Sequence, residues 1–122
     1  MAIATLTVTA VDCPDPTALA RFYQQVLGGE IKNEGKTWVD LFLPDGDRLA
    51  FQEAPGFVPP SWPSAKESQQ LHFDLRVTDM AEAQEKVLAL GAKALDLDDD
   101  GGKRDFRVFA DPAGHPFCLI RP

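Results

Sequence analysis

The sequence predicts an α+β protein made of two tandem βαβββ modules, and three observations lead to this prediction. Two stretches have the pattern of β-hairpins, WVDLFLPDGDRLAF at 38–51 and FRVFADPAGHPFCLI at 106–120. Their turn prolines, Pro44 and Pro112, are 68 residues apart, and so are Gly46 and Gly114. Each hairpin follows a strand pattern and a helix pattern, and a proline-rich stretch separates the two copies. One unit repeated at a fixed spacing indicates a tandem repeat.

Module one covers about residues 1–53. Ala4 to Val11, rich in Thr and Val, is predicted to be a strand. Asp15 is a candidate N-cap with Pro16 at the first helical position. The apolar face of the helix is formed by Leu19, Phe22, Tyr23 and Val26, and Gly28-Gly29 ends it. A short strand is predicted at Glu30–Glu34, and the next strand begins at Lys36 and leads into the hairpin.

A linker is predicted at about residues 54–69. It contains four prolines and Gly56, so no regular element is expected there. Phe57 and Trp62 are large apolar residues in this stretch. They can fix the loop to the surface, or they can form a lid over a pocket.

Module two covers about residues 70–122 and repeats the order of module one. Leu71–Val77 is predicted to be a strand, and Asp79 with Glu82 fits a capping box. The helix stripe consists of Met80, Ala83, Val87 and Leu90, and Gly91 ends the helix. A strand at Ala92–Leu95, an acidic loop at Asp96–Lys103 and the second hairpin follow. Half of this arrangement alone leaves an incomplete core, so the whole of 1–122 is predicted to form a single domain.

Composition narrows the class of protein. The chain has 122 residues, 44% of them hydrophobic, and a formal net charge of −7. An acidic chain is poorly suited to nucleic acid or to an anionic membrane surface. No apolar run approaches the ~18 residues of a membrane span, and no signal peptide is recognised. Two cysteines form no disulfide framework, so a cytoplasmic location is expected.

Three segments resemble the vicinal oxygen chelate superfamily, which includes glyoxalase I, the bleomycin resistance proteins and the extradiol dioxygenases. They are VDCPDPTALARFYQQVLGG, LHFDLRVTDMAEAQEKVLALGAK and FADPAGHPFCLI. The similarity is greatest to small bacterial glyoxalase-like proteins and covers nearly the whole chain. It implies that the strands form a curled mixed sheet around a cup, that a small molecule binds in the cup, and that the protein is a homodimer.

The resemblance also implies where a divalent metal ion would bind, on the first and last strands of each module. In module two these positions match His72 and Cys118. In module one the last-strand position matches Ala50. The first-strand position is Val8 or Leu6, depending on the alignment. Because aliphatic side chains cannot ligate a metal, we predict no metal site, although Gln52 can contribute if the register differs.

Several candidate site residues remain without a metal. His72, Asp74 and Arg76 alternate along one face of their strand, and this face is expected to line the cup. Asp74 and Arg76 can form a structural ion pair or orient a polar ligand. Cys118 can pair with His72 as a thiolate, or it can be a buried small hydrophobe. Trp62 and Gln52 complete the predicted ligand pocket, and His72 is the candidate acid–base residue.

Two other motifs contain candidate ligand residues. Asp96, Asp98 and Asp100 with Gly101 match the start of a calcium loop, but Arg107 stands where a bidentate Glu is needed, so a solvated loop is expected. His115 follows the turn glycine, where a structural role is expected.

The functional prediction is therefore a glyoxalase-like protein that binds a small molecule without a catalytic metal or other cofactor. It would sequester that molecule or carry out mild acid–base chemistry. The alternatives are a metal-dependent lyase or dioxygenase acting on a two-oxygen chelating substrate with one divalent ion, and a non-catalytic dimeric scaffold.

Overall fold

The computed structural model describes residues 2–61 and 71–122. The chain divides into two compact units, Met1–Phe57 and Val58–Pro122. We call them the first unit and the second unit. Trp62 lies outside the described residues.

The first unit contains five elements. They are β1 (Thr9–Cys13), α1 (Pro16–Leu27), β2 (Glu30–Lys32), β3 (Trp38–Phe42) and β4 (Arg48–Glu53). The strands form one mixed sheet in the order β1-β4-β3-β2. β1 runs parallel to β4, and the other neighbours are antiparallel.

The second unit repeats this arrangement. It contains β5 (Phe73–Arg76), α2 (Met80–Ala89), β6 (Lys93–Asp96), β7 (Phe106–Ala110) and β8 (Pro116–Ile120). The strand order is β5-β8-β7-β6, and the edge strand β5 again runs parallel to its neighbour β8. The predicted α+β fold with two βαβββ repeats is confirmed.

Both helices begin where the sequence indicated. The Asp15 carboxylate accepts a hydrogen bond from the Ala18 amide at 3.2 Å, and Asp79 accepts one from the Glu82 amide at 3.1 Å. The return half of the predicted capping box is not formed, because the Glu82 side chain pairs with Lys86 at 2.8 Å. At this i,i+4 spacing the lysine side chain lies beside the carboxylate.

Strand ends differ from the prediction by a few residues. β1 begins at Thr9 and not at Ala4, because its partner β4 begins only at Arg48, after the hairpin turn. β5 begins at Phe73 and not at Leu71. The propensity of Thr and Val for strands extends beyond the residues that have a partner strand.

Within each repeat, the glycine at the end of the helix lies close to the proline of the hairpin turn of that same repeat. A Cβ placed on Gly28 would lie 3.5 Å from the Pro44 ring, and a Cβ on Gly91 would lie 3.6 Å from the Pro112 ring. Both glycines have positive φ, 78° and 111°. The sequence paired these glycines and these prolines as equivalents, and the structure places each pair together in its own unit.

The core of each unit lies between helix and sheet and is centred on aromatic rings. In the first unit, Tyr23 of α1 stacks on Phe51 of β4 with 5.8 Å between centroids. In the second unit, Phe109 and Phe117 stack at 5.6 Å across β7 and β8. All four side chains are fully buried. Tyr23 belongs to the predicted stripe of the first helix, and the other three rings come from the strands of the two hairpins.

The acidic loop of the second unit is not the solvated loop that was expected. Asp96 pairs with Arg104 at 3.0 Å, while buried Asp99 pairs with Arg107 at 2.7 Å and with Arg121 at 2.5 Å. Hydrogen bonds from these guanidinium groups lower the pKa of both carboxyls. Two of the clustered aspartates thus tie the loop to the following strands, which argues against calcium binding.

Candidate functional site

The neighbouring strands β5 and β8 bring three chemically active side chains together. Asp74 on β5 is aligned with Cys118 on β8 in the parallel ladder. His72 directly precedes β5, two residues before Asp74, so both side chains project from the same face. Phe73 and Leu75 on the opposite face are half-buried. The sequence prediction that this strand has one polar and one apolar face agrees with this burial.

The atoms of this group lie close enough to act on one ligand. His72 Nε2 is 3.0 Å from Asp74 Oδ1. One donor atom each from His72, Asp74 and Cys118 lies within 4.8 Å of the others. The His72 and Asp74 side chains are 33% and 52% exposed, whereas Cys118 is only 3% exposed. We call these three residues the donor cluster; it has a buried sulfur and a solvent-accessible imidazole and carboxylate.

The thiol of the donor cluster is protonated at neutral pH. Burial, together with the charge of Asp74 and a hydrogen bond to its carboxylate, raises the pKa of Cys118 to about 11. The positive charge of Arg104 opposes this shift but is the weakest influence. The raised pKa of Cys118 disfavours the thiolate–imidazolium pair with His72 that was one of the sequence hypotheses, and Asp74 lies next to both residues.

Asp74→Asn is expected to make Cys118 more reactive, because it removes the negative charge that opposes thiolate formation. Each unit by which the thiol pKa falls raises the thiolate fraction about tenfold at a fixed pH below the pKa. We expect a rise of about threefold to tenfold in the alkylation rate at pH 8, measured by mass spectrometry of the modified peptide. Cys13 is the internal control; it is buried in the first unit and donates to the Gln52 carbonyl at 3.7 Å. An unchanged Cys118 rate would contradict the role given to Asp74.

Arg76 does not join the donor cluster as predicted. Asp74 pairs with His72, and among the described residues no ion pair joins Asp74 to Arg76. Arg76 instead borders an open groove of about 310 Å³ between the end of β5 and the first turns of α2. His72 and Arg76 each lie two residues from Asp74 in the chain, and the structure pairs Asp74 with His72.

The corresponding row of the first unit has no donor atoms in its side chains. Ala10 of β1 is aligned with Ala50 of β4 as Asp74 is with Cys118. Val8, two residues before Ala10, is therefore the equivalent of His72, and the alternative alignment on Leu6 is wrong by two residues. Gln52 also belongs to the first unit, where it is exposed and aligned with Asp12.

Asp40 is a buried carboxylate that the sequence analysis did not single out. It lies beside Ala50 in the β3–β4 ladder and is 3% exposed. Its oxygens accept hydrogen bonds from Asn33 Nδ2 at 2.7 Å and Trp38 Nε1 at 2.9 Å. Alternation along WVDLF places Asp40 on the same face as Trp38, and this pattern could have indicated that the two side chains are neighbours. Because both Asp40 oxygens accept hydrogen bonds from side chains of the same unit, we assign Asp40 a structural role.

These residues do not fit the metal site that the resemblance implied. That site draws ligands from the first and last strands of both repeats, and Val8 and Ala50 supply none. The second unit offers His72 and Cys118 at the implied positions and adds Asp74 from the same strand as His72. The donor set is thus confined to one unit and contains a thiol. It does not form the two-module metal centre that the resemblance implied.

Comparison with known proteins agrees with the architecture. Two βαβββ units with mixed sheets define a protein of the glyoxalase/bleomycin resistance/dioxygenase class. The model of the glyoxalase-like domain family matches residues 8–120, and the chain belongs to that family. No curated protein matches the chain.

Solved structures show the same fold at low sequence identity. A glyoxalase-related enzyme from Fulvimarina pelagi is 20% identical, with a TM-score of 0.68 over 98% of this chain and 89% of that chain. A family enzyme from Burkholderia phytofirmans is 14% identical, with a TM-score of 0.70 over 97% and 98%. The fosfomycin resistance protein FosX from Listeria monocytogenes, a mutant complexed with Mn(II) and a dihydroxypropylphosphonic acid, is 15% identical, with a TM-score of 0.71 over 98% and 93%.

None of the helices in the part of the chain that the structure describes is long and apolar enough to cross a bilayer.

Proposed function

We propose that this glyoxalase-like protein binds a small organic molecule at the donor cluster without a catalytic metal, either to sequester it or to move a proton through His72. The observation that carries the proposal is the asymmetry between the repeats. Three polar groups converge in the second unit, while the equivalent positions of the first unit are Val8, Ala10 and Ala50. Asp40, beside Ala50 on β3, already accepts hydrogen bonds from Asn33 and Trp38. Aliphatic side chains cannot ligate a metal, so the first unit supplies no ligand for such an ion at these positions.

The chemistry of the three groups suits a polar ligand. Asp74, as the ion-pair partner of His72, orients the imidazole, which is the side chain best suited to proton transfer near neutral pH. Cys118 contributes a neutral thiol, a weak hydrogen-bond donor, at the base of the group. His72 is the residue we assign to acid–base chemistry, and Asp74 is its positioning residue.

A chelator-treated sample provides the test. A small-molecule library is screened by thermal shift in the presence of EDTA, and hits are confirmed by calorimetry. We expect His72→Gln to weaken binding of a confirmed hit by about tenfold or more, the loss expected when a hydrogen-bond partner of the ligand is removed. His115→Gln is the matched control, since His115 lies at the β7–β8 turn, where its backbone amide donates to Asp111 at 3.0 Å. Equal losses in the two variants would sink the assignment of His72.

A metal-dependent lyase or dioxygenase is the second candidate, because the donor cluster holds three possible ligands and FosX of the same fold is seen with Mn(II). Binding of a chelating two-oxygen compound only after a divalent ion is added would favour this candidate over the first. Running the compound screen once with EDTA and once with the added ion therefore decides between the two candidates.

The remaining proposals concern organisation and location. We infer that the two units act as one domain over residues 1–122, that the protein forms a homodimer, and that it is cytoplasmic. A non-catalytic dimeric scaffold would bind no compound in either arm of the screen.

A further inference from the structure

We propose that Arg48 binds the oxyanion group of a small aromatic acid, a carboxylate or a phosphate ester, on one face of the first sheet. Arg48 begins β4 and lies opposite Phe42 of β3 in the antiparallel ladder. Phe51 of the same strand stacks on Tyr23 of α1, and by strand alternation Arg48 projects from the face turned away from that helix. The site belongs to the first unit and shares no residue with the donor cluster.

The first argument is that the Arg48 guanidinium has no hydrogen-bond acceptor in the described part of the chain. Its ion-pair partner, Asp40 Oδ2, is 3.9 Å from Nη1, which is too long for a hydrogen bond. The other half-buried arginines each donate to a carboxylate oxygen at 3.0 Å or less; they are Arg104, Arg107 and Arg121. The N–H donors of Arg48 are therefore available to water or to a ligand.

The second argument is that this guanidinium is held in place without using those donors. Its Cζ lies 5.4 Å from the centroid of the Phe42 ring, a cation–π contact. The Asp40 carboxylate attracts it from 3.9 Å, while its own oxygens accept hydrogen bonds from Asn33 and Trp38. Because the arginine is positioned in the free protein, less side-chain freedom is lost when a ligand binds.

The third argument is access and charge. The Arg48 side chain is 26% exposed, so a ligand can reach it, and its partial burial makes an ion pair there stronger than one in bulk water. A planar guanidinium fork matches the geometry of carboxylate and phosphate oxygens. Lys32 Nζ lies 5.1 Å from the same Phe42 ring and adds a second positive charge beside the site.

The aromatic part of the ligand follows from the rings on β3. Trp38 and Phe42 are both half-buried, and each lies two residues from Asp40 on the same face of the strand. Their uncovered surface offers apolar contact beside a charged group, which suits a molecule with a flat apolar body and one acidic group.

The test uses the full chain labelled with ¹⁵N at pH 7 and fixed low ionic strength. Sodium benzoate and sodium phenyl phosphate are each titrated while the arginine Nε–H signals and the Trp38 indole N–H signal are followed by NMR. We expect the Arg48 Nε–H signal, identified by its loss in Arg48→Gln, to shift to saturation. Sodium chloride at equal ionic strength should cause no saturable shift. The acid that saturates at lower concentration shows whether carboxylate or phosphate is preferred.

Matched variants locate the site through the Trp38 signal. Arg48→Gln should weaken binding of the preferred acid about tenfold or more, because the charge-assisted hydrogen bonds are lost. Arg48→Lys keeps the charge near Asp40 but not the fork, so it should weaken binding about threefold, and it keeps the test valid if Arg48→Gln fails to fold. Arg21→Gln is the control, since Arg21 is exposed and pairs with Glu34 at 3.6 Å; it should bind as the unchanged protein does.

Three results overturn the inference: no saturable shift with either acid, undiminished binding by Arg48→Lys and Arg48→Gln, or an equal loss in Arg21→Gln. An equal loss in His72→Gln would also overturn it, because the acids would then be bound at the donor cluster. The compound screen depends on His72 and this titration depends on Arg48, so either proposal can fail without the other.

Discussion

Gly29→Ala is expected to destabilise the first unit by about 3 kcal/mol or more, because the new methyl group has no room. Gly29 has a φ of +97°, and a Cβ there would overlap the Phe42 carbonyl oxygen and lie 3.1 Å from Leu43 Cα. Both contacts are with backbone, which cannot move aside without shifting β3. The effect is measured as the loss of unfolding free energy in urea, followed by circular dichroism.

Gly46→Ala is the matched control for this prediction. Gly46 also has a φ of +97°, but a Cβ there meets nothing within 4 Å. The substitution therefore carries only the cost of placing an alanine at positive φ, about 1 kcal/mol. The difference between the two variants isolates the overlap with Phe42. Similar losses for both would mean that the chain between α1 and β2 relaxes freely.

Much of the fold could be predicted from the sequence, because local chemistry determines its main features. Asp15 and Asp79 mark the helix starts by their own hydrogen bonds to the first turn. The Pro-Gly turns fix both hairpins, since the turn residues carry the backbone conformation themselves. Strand ends were less accurate because they depend on where a partner strand begins, and this is a property of the whole sheet.

The candidate site was only partly predictable for the same reason. Strand alternation placed His72, Asp74 and Arg76 on one face, yet it could not say that Asp74 pairs with His72 and lies against Cys118. That pairing depends on the register of β5 against β8 and on side-chain rotamers. The register also shows that Val8 and not Leu6 is the counterpart of His72.

The acidic loop shows a second limit of sequence reasoning. A run of aspartates has the composition of a solvated loop, and nothing local distinguishes Asp99 from its neighbours. Asp99 is buried and pairs with Arg107 of β7 and with Arg121, which follows β8. These ion pairs form only when β7 and β8 fold back beside the loop, so the composition of the loop alone does not indicate them.

Phe117→Ala is expected to destabilise the second unit by about 3–5 kcal/mol, the usual loss when a fully buried aromatic side chain is removed. Phe117 has no exposed surface and stacks on Phe109 at 5.6 Å. No neighbouring backbone can collapse into a space of that size without bending β8. Urea unfolding followed by circular dichroism measures the loss.

Phe106→Ala makes the same chemical change on β7 with a much smaller expected loss of about 1 kcal/mol. Phe106 is half-buried and lies 4.4 Å beneath the Arg104 guanidinium, so its removal mainly costs one cation–π contact and partial burial. Comparable losses for the two variants would contradict the assignment of Phe117 to the core.

The contrast also bears on the donor cluster, because Phe117 fixes the strand that carries Cys118. Phe117→Ala should therefore speed alkylation of Cys118 at sub-denaturing urea, whereas Phe106→Ala should leave that rate nearly unchanged.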